Sequence, residues 1–282
     1  TRYASFVEQG SADLASICYT ANTGRSAFEQ RAAWVVRERS ELVSRLRAFG
    51  EGGEQPALLR GVYRNRRPRV AMLFTGQGSQ YAGMGRELYE REPVFRAALD
   101  DCARLLEGEL EVGLLEVLFG ASTALLDRTD YTQPALFALG YALRRTWEEW
   151  GVTPQVVMGH SLGEYMAAQA AGVLTLEAGL KLVASRGRLM QGRCEGGAML
   201  SVMLDAATLR ERLAEQGGGL VIAALNGPSQ QVVAGTSAQI EALRARLAQD
   251  GVRTDLLPGS HAFHSPLVEP MLEAYEEVLK AT

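Results

Sequence analysis

The sequence predicts an α/β chain with a smaller α+β piece set into it, on three observations. A short apolar strand, Gln155–Met158, runs straight into Gly-His-Ser-Leu-Gly at Gly159–Gly163, and a helical pattern, Glu164–Ala171, follows at once. A second apolar strand, Arg69–Phe74, runs into the glycine-flanked turn Gly76-Gln77-Gly78-Ser79-Gln80. Between residues 197 and 258 the order changes to strand, helix, strand, strand, helix, strand, the ferredoxin-like βαββαβ pattern. With 282 residues, 47% of them hydrophobic and 22% charged, the chain has the make-up of a globular protein with ample core.

Residues 1–68 read as a separate small α+β unit. Its first residues, Thr1–Val7, look like the middle of a helix. Asp13–Ala21 reads as a helix and Arg31–Arg37 as a strand around Trp34, Val35 and Val36. Ser40 is placed to cap a helix running to Phe49, Glu51–Pro56 is a turn, and Leu58–Tyr63 is a second strand. The basic stretch Arg64–Arg69, with Pro68, reads as a solvated linker.

Beyond it, residues 69–196 and 259–282 compose an α/β-hydrolase-like large subdomain, interrupted by the small subdomain at 197–258. Arg69–Phe74 is expected to be a buried strand, Arg86–Leu106 and Gln133–Trp150 helices, and Thr175 the cap of a helix running to Met190. In the small subdomain the expected strands are Met199–Leu204, Leu220–Leu225, Gln231–Ala234 and Thr254–Leu257, with helices Ala206–Gln216 and Ala238–Gln249 and a turn at Asn226–Ser229. The last residues, Met271–Thr282, stop inside a helical pattern, so both ends read as cut from a longer polypeptide.

Composition excludes several classes. A net charge of −4 argues against a nucleic-acid partner. No apolar run approaches the ~20 residues of a membrane span, and no signal-peptide profile is present. Cys18, Cys102 and Cys194 are scattered, odd in number and form no CxxC, as expected of reduced cysteines in a cytoplasmic protein without structural zinc.

The chemistry gathers in two motifs that hold all three histidines, His160, His261 and His264. Strand, sharp turn bearing serine, then helix is the setting of a nucleophile elbow, which makes Ser161 the candidate nucleophile and the Leu162 backbone N–H a candidate oxyanion donor. Serine needs a base. His264, just before Ser265-Pro266 where regular structure breaks, is the first candidate and His261 the competitor. His160 is expected to point away from Ser161 and support the elbow from beneath. Gln77 sits where an amide could donate to an oxyanion, or it belongs to a simple turn. Arg186 falls on the apolar face of its helix with Leu176, Leu180, Val183 and Met190, whereas Arg188 aligns with Lys181 toward solvent. A guanidinium so placed needs an anion, either an internal carboxylate or the carboxylate of a substrate.

Five motifs then occur in order: GQGSQ at 76–80, YTQPALFAL at 131–139, GHSLGEY at 159–165, RGRLMQ at 186–191 and HAFHSP at 261–266. Together they closely resemble the malonyl-CoA:acyl-carrier-protein acyltransferase family, and within it the acyltransferase domains of modular type I polyketide synthases, over Arg69–Thr282. Residues 1–68 resemble the linker that joins ketosynthase to acyltransferase in those megasynthases, without its first strand. The resemblance implies that Ser161 is acylated and that His264 is its general base and acid. Gln77 and the Leu162 N–H would form the oxyanion hole. Arg186 would bind the free carboxylate of the extender unit, with Met190 and Leu162 lining the pocket. It implies malonyl-CoA as substrate, no metal and no tightly bound cofactor, an acyl carrier protein and the adjacent ketosynthase as partners, and ping-pong transfer.

In the family the HAFH form of the last motif, carrying His261 and Phe263, goes with malonyl units and a YASH form with methylmalonyl. Phe263 in place of a small serine would fill the room an α-methyl needs, a difference worth only ~1–3 kcal/mol. Leu162 rather than Gln after the serine also leans toward malonyl. The family continues past residue 282 with a segment that orients the catalytic histidine and forms part of the pocket rim. The rival readings are a methylmalonyl-selective transferase, a serine thioesterase or acyl hydrolase of the same fold, and a docking scaffold built on residues 1–68 and a defective transferase.

Overall fold

The computed structural model describes residues 2–52, 57–64, 68–120, 124–215, 218–259 and 261–282. They fall into two units, Thr1–Pro68 and Arg69–Thr282. The first contains α1 (Arg2–Gln9), α2 (Leu14–Thr23), β1 (Gln30–Ala33), α3 (Arg39–Gly50) and β2 (Leu59–Val62). Asp13 caps α2 by accepting the Ser16 N–H at 2.9 Å. Val7, Ile17, Leu42 and Val43 form its core. The Arg39 guanidinium donates to the carbonyls of Val7 and Gly10, each at 2.6 Å, and so satisfies the C-terminal end of α1.

Two expectations shift here. The strand precedes the Trp34–Val36 run: Gln30–Ala33 pairs antiparallel with β2, while Trp34 turns edge-on to Phe49 at 5.2 Å and Val36 packs on the core. Helix α3 begins at Arg39 with Glu38 in the cap position, so Ser40 lies in the first turn and caps nothing. Of the expected turn at Glu51–Pro56 and the linker Arg64–Arg69, residues 53–56 and 65–67 lie outside the described residues.

The second unit runs β3 (Ala71–Phe74), α4 (Arg86–Arg91), α5 (Pro93–Leu105), α6 (Leu114–Phe119), α7 (Thr129–Glu149), β4 (Val156–Gly159), α8 (Gly163–Ala170) and α9 (Leu176–Arg193). There follow β5 (Ala198–Val202), α10 (Ala206–Ala214), β6 (Val221–Gly227), β7 (Gln230–Gly235), α11 (Ser237–Gln249) and β8 (Thr254–Leu256). A 3-10 turn, Pro266–Met271, then leads into α12 (Leu272–Lys280). The single helix expected over Arg86–Leu106 is two, because Pro93 forces Glu92 out of the helical region, to φ −105° and ψ 105°. Helix α7 starts at Thr129, four residues before the expected Gln133. Thr175 does cap α9, accepting the Ala178 N–H at 3.0 Å.

Helices α5, α7 and α9 pack on one another around Phe95, Leu99, Phe137, Leu180 and Val183, each essentially sealed from solvent. β3 and β4 pair in parallel, Ala71 opposite Val156 and Phe74 opposite Gly159. Contrary to expectation, β3 is not buried on both faces. Phe74 turns inward, but Leu73 is 67% exposed beside Met158 at 60% and Val156 at 58%. Parallel strands usually have helices on both faces, yet among the described residues helices cover one.

The small subdomain keeps the expected βαββαβ order. Its sheet is antiparallel throughout, β6-β7-β5-β8, over a core of Leu200, Val202, Leu209, Val233, Ile240 and Leu243. β6 extends through Asn226 and Gly227, so the turn is confined to Pro228-Ser229 rather than Asn226–Ser229. A capping box starts α11: Thr236 Oγ1 accepts the Gln239 N–H and Gln239 Oε1 accepts the Thr236 N–H. The three cysteines are free, and burial pushes the Cys102 thiol up to about 12. Among the described residues no helix is long and apolar enough to cross a membrane.

Candidate active site

β3 and β4 end side by side, and the His160 N–H donates to the Phe74 carbonyl at 3.0 Å. This clamps the GQGSQ turn against the serine turn. The chain passes so tightly that a Cβ on Gly159 would lie 2.0 Å from the Gly163 carbonyl carbon. One on Gly163 would lie 2.2 Å from the Phe74 carbonyl oxygen. The two glycines of the motif are thus demanded by close approach. Between them Ser161 sits at φ +53°, a left-handed conformation uncommon for a side-chain-bearing residue. Leu162 follows at the N-terminus of α8, where peptide N–H groups have no intrahelical partner and face developing negative charge favourably.

His264 comes from the other end of the unit, after β8. Its Nε2 lies 2.8 Å from Ser161 Oγ. It too has positive φ, +57°, and of the described non-glycine residues only Ala57, Ser161 and His264 do. Ser265 holds the turn by donating to the Ala262 carbonyl at 2.6 Å. The His264 pKa is pushed below the usual imidazole range, first by burial and then by the positive charges of Arg186 and His160.

Ser161 and His264 open onto a cavity of about 330 Å³. Gln77, His261 and Phe263 line it from the large subdomain, and Met199, Ala224 and Asn226 from the small one. Phe263 stacks on His261, ring centroids 5.9 Å apart. His261 is itself buried and hydrogen-bonded to the Met190 carbonyl, and burial lowers its pKa. His160 is not tucked beneath the elbow as expected: its side chain is exposed and lines the cavity next to Gly76. The tight His160 N–H to Phe74 bond fixes the backbone below the turn and leaves the ring outside.

Arg186 is only 8% exposed. Its Nη1 donates to Gln133 Oε1 at 2.7 Å and its guanidinium lies 5.8 Å from the centre of the Tyr165 ring. Among the described residues no carboxylate pairs with it, whereas solvent-facing Arg188 pairs with Glu109 at 3.3 Å. The internal salt bridge left open by the sequence is therefore not made. Met190 and Leu162 were expected to line the pocket with Arg186, but none of the three is among the residues that line this cavity. Leu162 is fully buried in the helical core, because its side chain points inward under the elbow. Met190 is buried with Leu182, Met271 and Tyr275.

Two polar residues that the sequence did not single out stand in this site. Thr129 Oγ1 donates to Gln77 Oε1 at 2.9 Å, and Gln133 Nε2 donates to Thr129 Oγ1 at 2.9 Å. Their signal was a polar pair four residues apart on a helix face that is otherwise apolar.

Residues 71–282 match the family model "Acyl transferase domain". The chain belongs to that family. Residues 1–46 of this acyl transferase match a second model, "CurL-like, PKS C-terminal". Among curated relatives, the phenolphthiocerol synthesis polyketide synthase type I Pks15/1 of Mycobacterium marinum is 45% identical over 255 residues, covering 90% of this chain. Polyketide synthase GfsB of Streptomyces halstedii is 46% identical over 258 residues, covering 91%. The acyl transferase spans only 12% and 5% of those two proteins. Of solved structures, the acyltransferase domain from the second module of the salinomycin polyketide synthase superposes with a TM-score of 0.78 at 45% identity. That match covers 98% of this chain and 65% of the other. The malonyl CoA-acyl carrier protein transacylase from Clostridium perfringens superposes at 0.69 with 29% identity, over 76% of this chain and 68% of the other. The acyl transferase domain of this chain is thus similar to those of modular type I polyketide synthases.

Proposed function

We propose that this domain moves a malonyl unit from malonyl-CoA, through an ester on Ser161, to the phosphopantetheine thiol of an acyl carrier protein. The observation that carries the choice of acyl group is Arg186, a buried cation with no carboxylate of its own among the described residues, close enough to depress the His264 pKa. A substrate that brings a carboxylate completes it. The name of the Clostridium perfringens transacylase points to the same donor and acceptor.

In this reading His264 Nε2 takes the Ser161 hydroxyl proton as Oγ attacks the thioester carbon. The oxyanion is met by Gln77 and the Leu162 N–H. The intermediate collapses, and the CoA sulfur leaves with the proton from His264. The carrier thiol then gives its proton to His264 and attacks the Ser161 ester, and the proton returns to Ser161 Oγ. Neither metal nor redox cofactor is needed. The neighbouring ketosynthase of the same megasynthase would use the product.

Intact-mass measurement after mixing with malonyl-CoA tests this. A malonyl adduct that disappears in Ser161→Ala and is discharged by a carrier protein is expected. Rapid turnover without a carrier would instead establish a hydrolase, and no adduct a scaffold. Arg186→Ala should lose malonyl loading and keep part of acetyl loading; unchanged malonyl preference sinks the clamp. Phe263, on the cavity wall beside His264, makes malonyl preferred over methylmalonyl. Phe263→Ser should shrink that preference, by roughly 10- to 200-fold for the ~1–3 kcal/mol of one methyl, in a competition of the two CoA esters.

A further inference from the structure

Arg186 and Gln77 are joined by a chain of hydrogen bonds that can run in only one direction. A guanidinium donates and never accepts. Arg186 Nη1 therefore fixes which end of the Gln133 amide faces it: the carbonyl oxygen, at 2.7 Å. The amide nitrogen of Gln133 must then point the other way, and it donates to Thr129 Oγ1 at 2.9 Å and to Met190 Sδ at 3.4 Å. Gln133 is wholly buried, so no water offers it an alternative. Thr129, 2% exposed, already accepts from Gln133, and its own proton goes to Gln77 Oε1 at 2.9 Å. This ties the carbonyl end of the Gln77 side chain to α7. The amide NH2 is left for the cavity that Gln77 lines, and the turn bearing the Gln77 backbone N–H is tethered with it. Reversing Gln77 would leave the Thr129 proton without that acceptor, in a buried place where such a loss costs about 1–3 kcal/mol.

We propose that Thr129 and Gln133 are positioning residues for acyl transfer, forming a directed relay, Arg186 to Gln133 to Thr129 to Gln77, that builds the carboxylate site and the oxyanion site on one frame. This rests on the Ser161 acylation reading above. Arg186 spends one of its five N–H groups on the relay and keeps the others for a carboxylate. The relay acts on the oxyanion whatever the acyl group. Its loss should slow acylation by malonyl-CoA and by acetyl-CoA alike, whereas damage to Arg186 discriminates between them.

The test compares two substitutions of opposite kind. Thr129→Val keeps the side-chain shape and removes the hydroxyl; Thr129→Ser keeps the hydroxyl and removes the methyl. Acylation of Ser161 is followed by rapid quench and intact mass, with malonyl-CoA and with acetyl-CoA, and melting curves show that each variant is folded. Loss of a whole oxyanion donor costs ~10²–10³ in rate, so a misplaced one in Thr129→Val should cost about tenfold in kcat with both donors, at unchanged KM. Thr129→Ser should restore the rate. Gln133→Glu should pair with Arg186 and has no N–H to give Thr129, so it should raise the KM for malonyl-CoA alone and lower kcat with both donors. Thr129→Val at the unsubstituted rate, or Thr129→Ser as slow as Thr129→Val, overturns the relay while leaving Ser161 acylation standing. No acyl adduct on the unsubstituted chain from either donor overturns both.

Discussion

Ser161 and His264 are the two non-glycine residues lining the site whose backbones are held at positive φ, and each is held by something nearby. The narrow passage between Gly159 and Gly163 holds Ser161, and the Ser265 hydrogen bond to Ala262 holds the turn of His264. Such conformations cost of order 1–3 kcal/mol and persist where the surroundings over-determine them. Here they bring Oγ and Nε2 to 2.8 Å. The charge around His264 has a consequence for pH. A base works only when neutral, and burial, Arg186 and His160 all disfavour its protonated form. The acid limb of acylation with acetyl-CoA should therefore lie below the ordinary imidazole value of about 6.5. Arg186→Met removes a positive neighbour, raises the His264 pKa and should move that limb to higher pH. A limb that stays in place in a pH–rate profile would show that Arg186 does not act on His264. The serine, the base and the arginine were all legible as residue types in motifs. The absence of a described carboxylate partner for Arg186 was not, because it depends on where every described acidic residue lies.

At the scale of elements, periodicity located the helices and strands, and side-chain chemistry set their ends. Thr175 caps where the sequence suggests and Asp13, read as the first helical residue, is itself a cap, while Ser40 does not cap, because Glu38 already occupies the cap position. Pro93 divides a helix that its apolar period would have kept whole. Two predictions belong here. Thr236→Ala removes a capping box remote from Ser161 and should cost about 0.5–2 kcal/mol by urea denaturation, with Ser161 acylation unchanged. Gly159→Ala places a methyl 2.0 Å from the Gly163 carbonyl carbon. Overpacking of that kind costs ~1–3 kcal/mol or more. The urea midpoint and the acylation rate should fall together, since the same backbone carries the nucleophile.

For the molecule as a whole, the exposed face of the β3–β4 pair is the feature most at odds with the sequence. Leu73, Val156 and Met158 read as core by hydropathy, and alternation places them on the side that no described helix covers. Contiguous apolar surface of this kind drives association. This chain should self-associate with concentration in sedimentation velocity, and Met158→Lys, beside Leu73 in the sheet register, should reduce it. An unchanged distribution would mean that the face is too small to matter. All the residues of the site lie within Arg69–Thr282, contributed by segments as far apart as Gln77 and His264.

The sequence by itself determined the α/β class, the inserted βαββαβ subdomain, the elbow around Ser161 and the family. These follow from local period and from short motifs, whose meaning does not depend on distant residues. Only the tertiary structure decided that His264 meets Ser161, that Leu162 buries its side chain, and that no described carboxylate pairs with Arg186. It alone placed Thr129 and Gln133 between Arg186 and Gln77. Each of these is a statement about which groups share a few ångströms across 50 to 100 residues of chain, and hydrogen-bond direction and burial are settled there by packing.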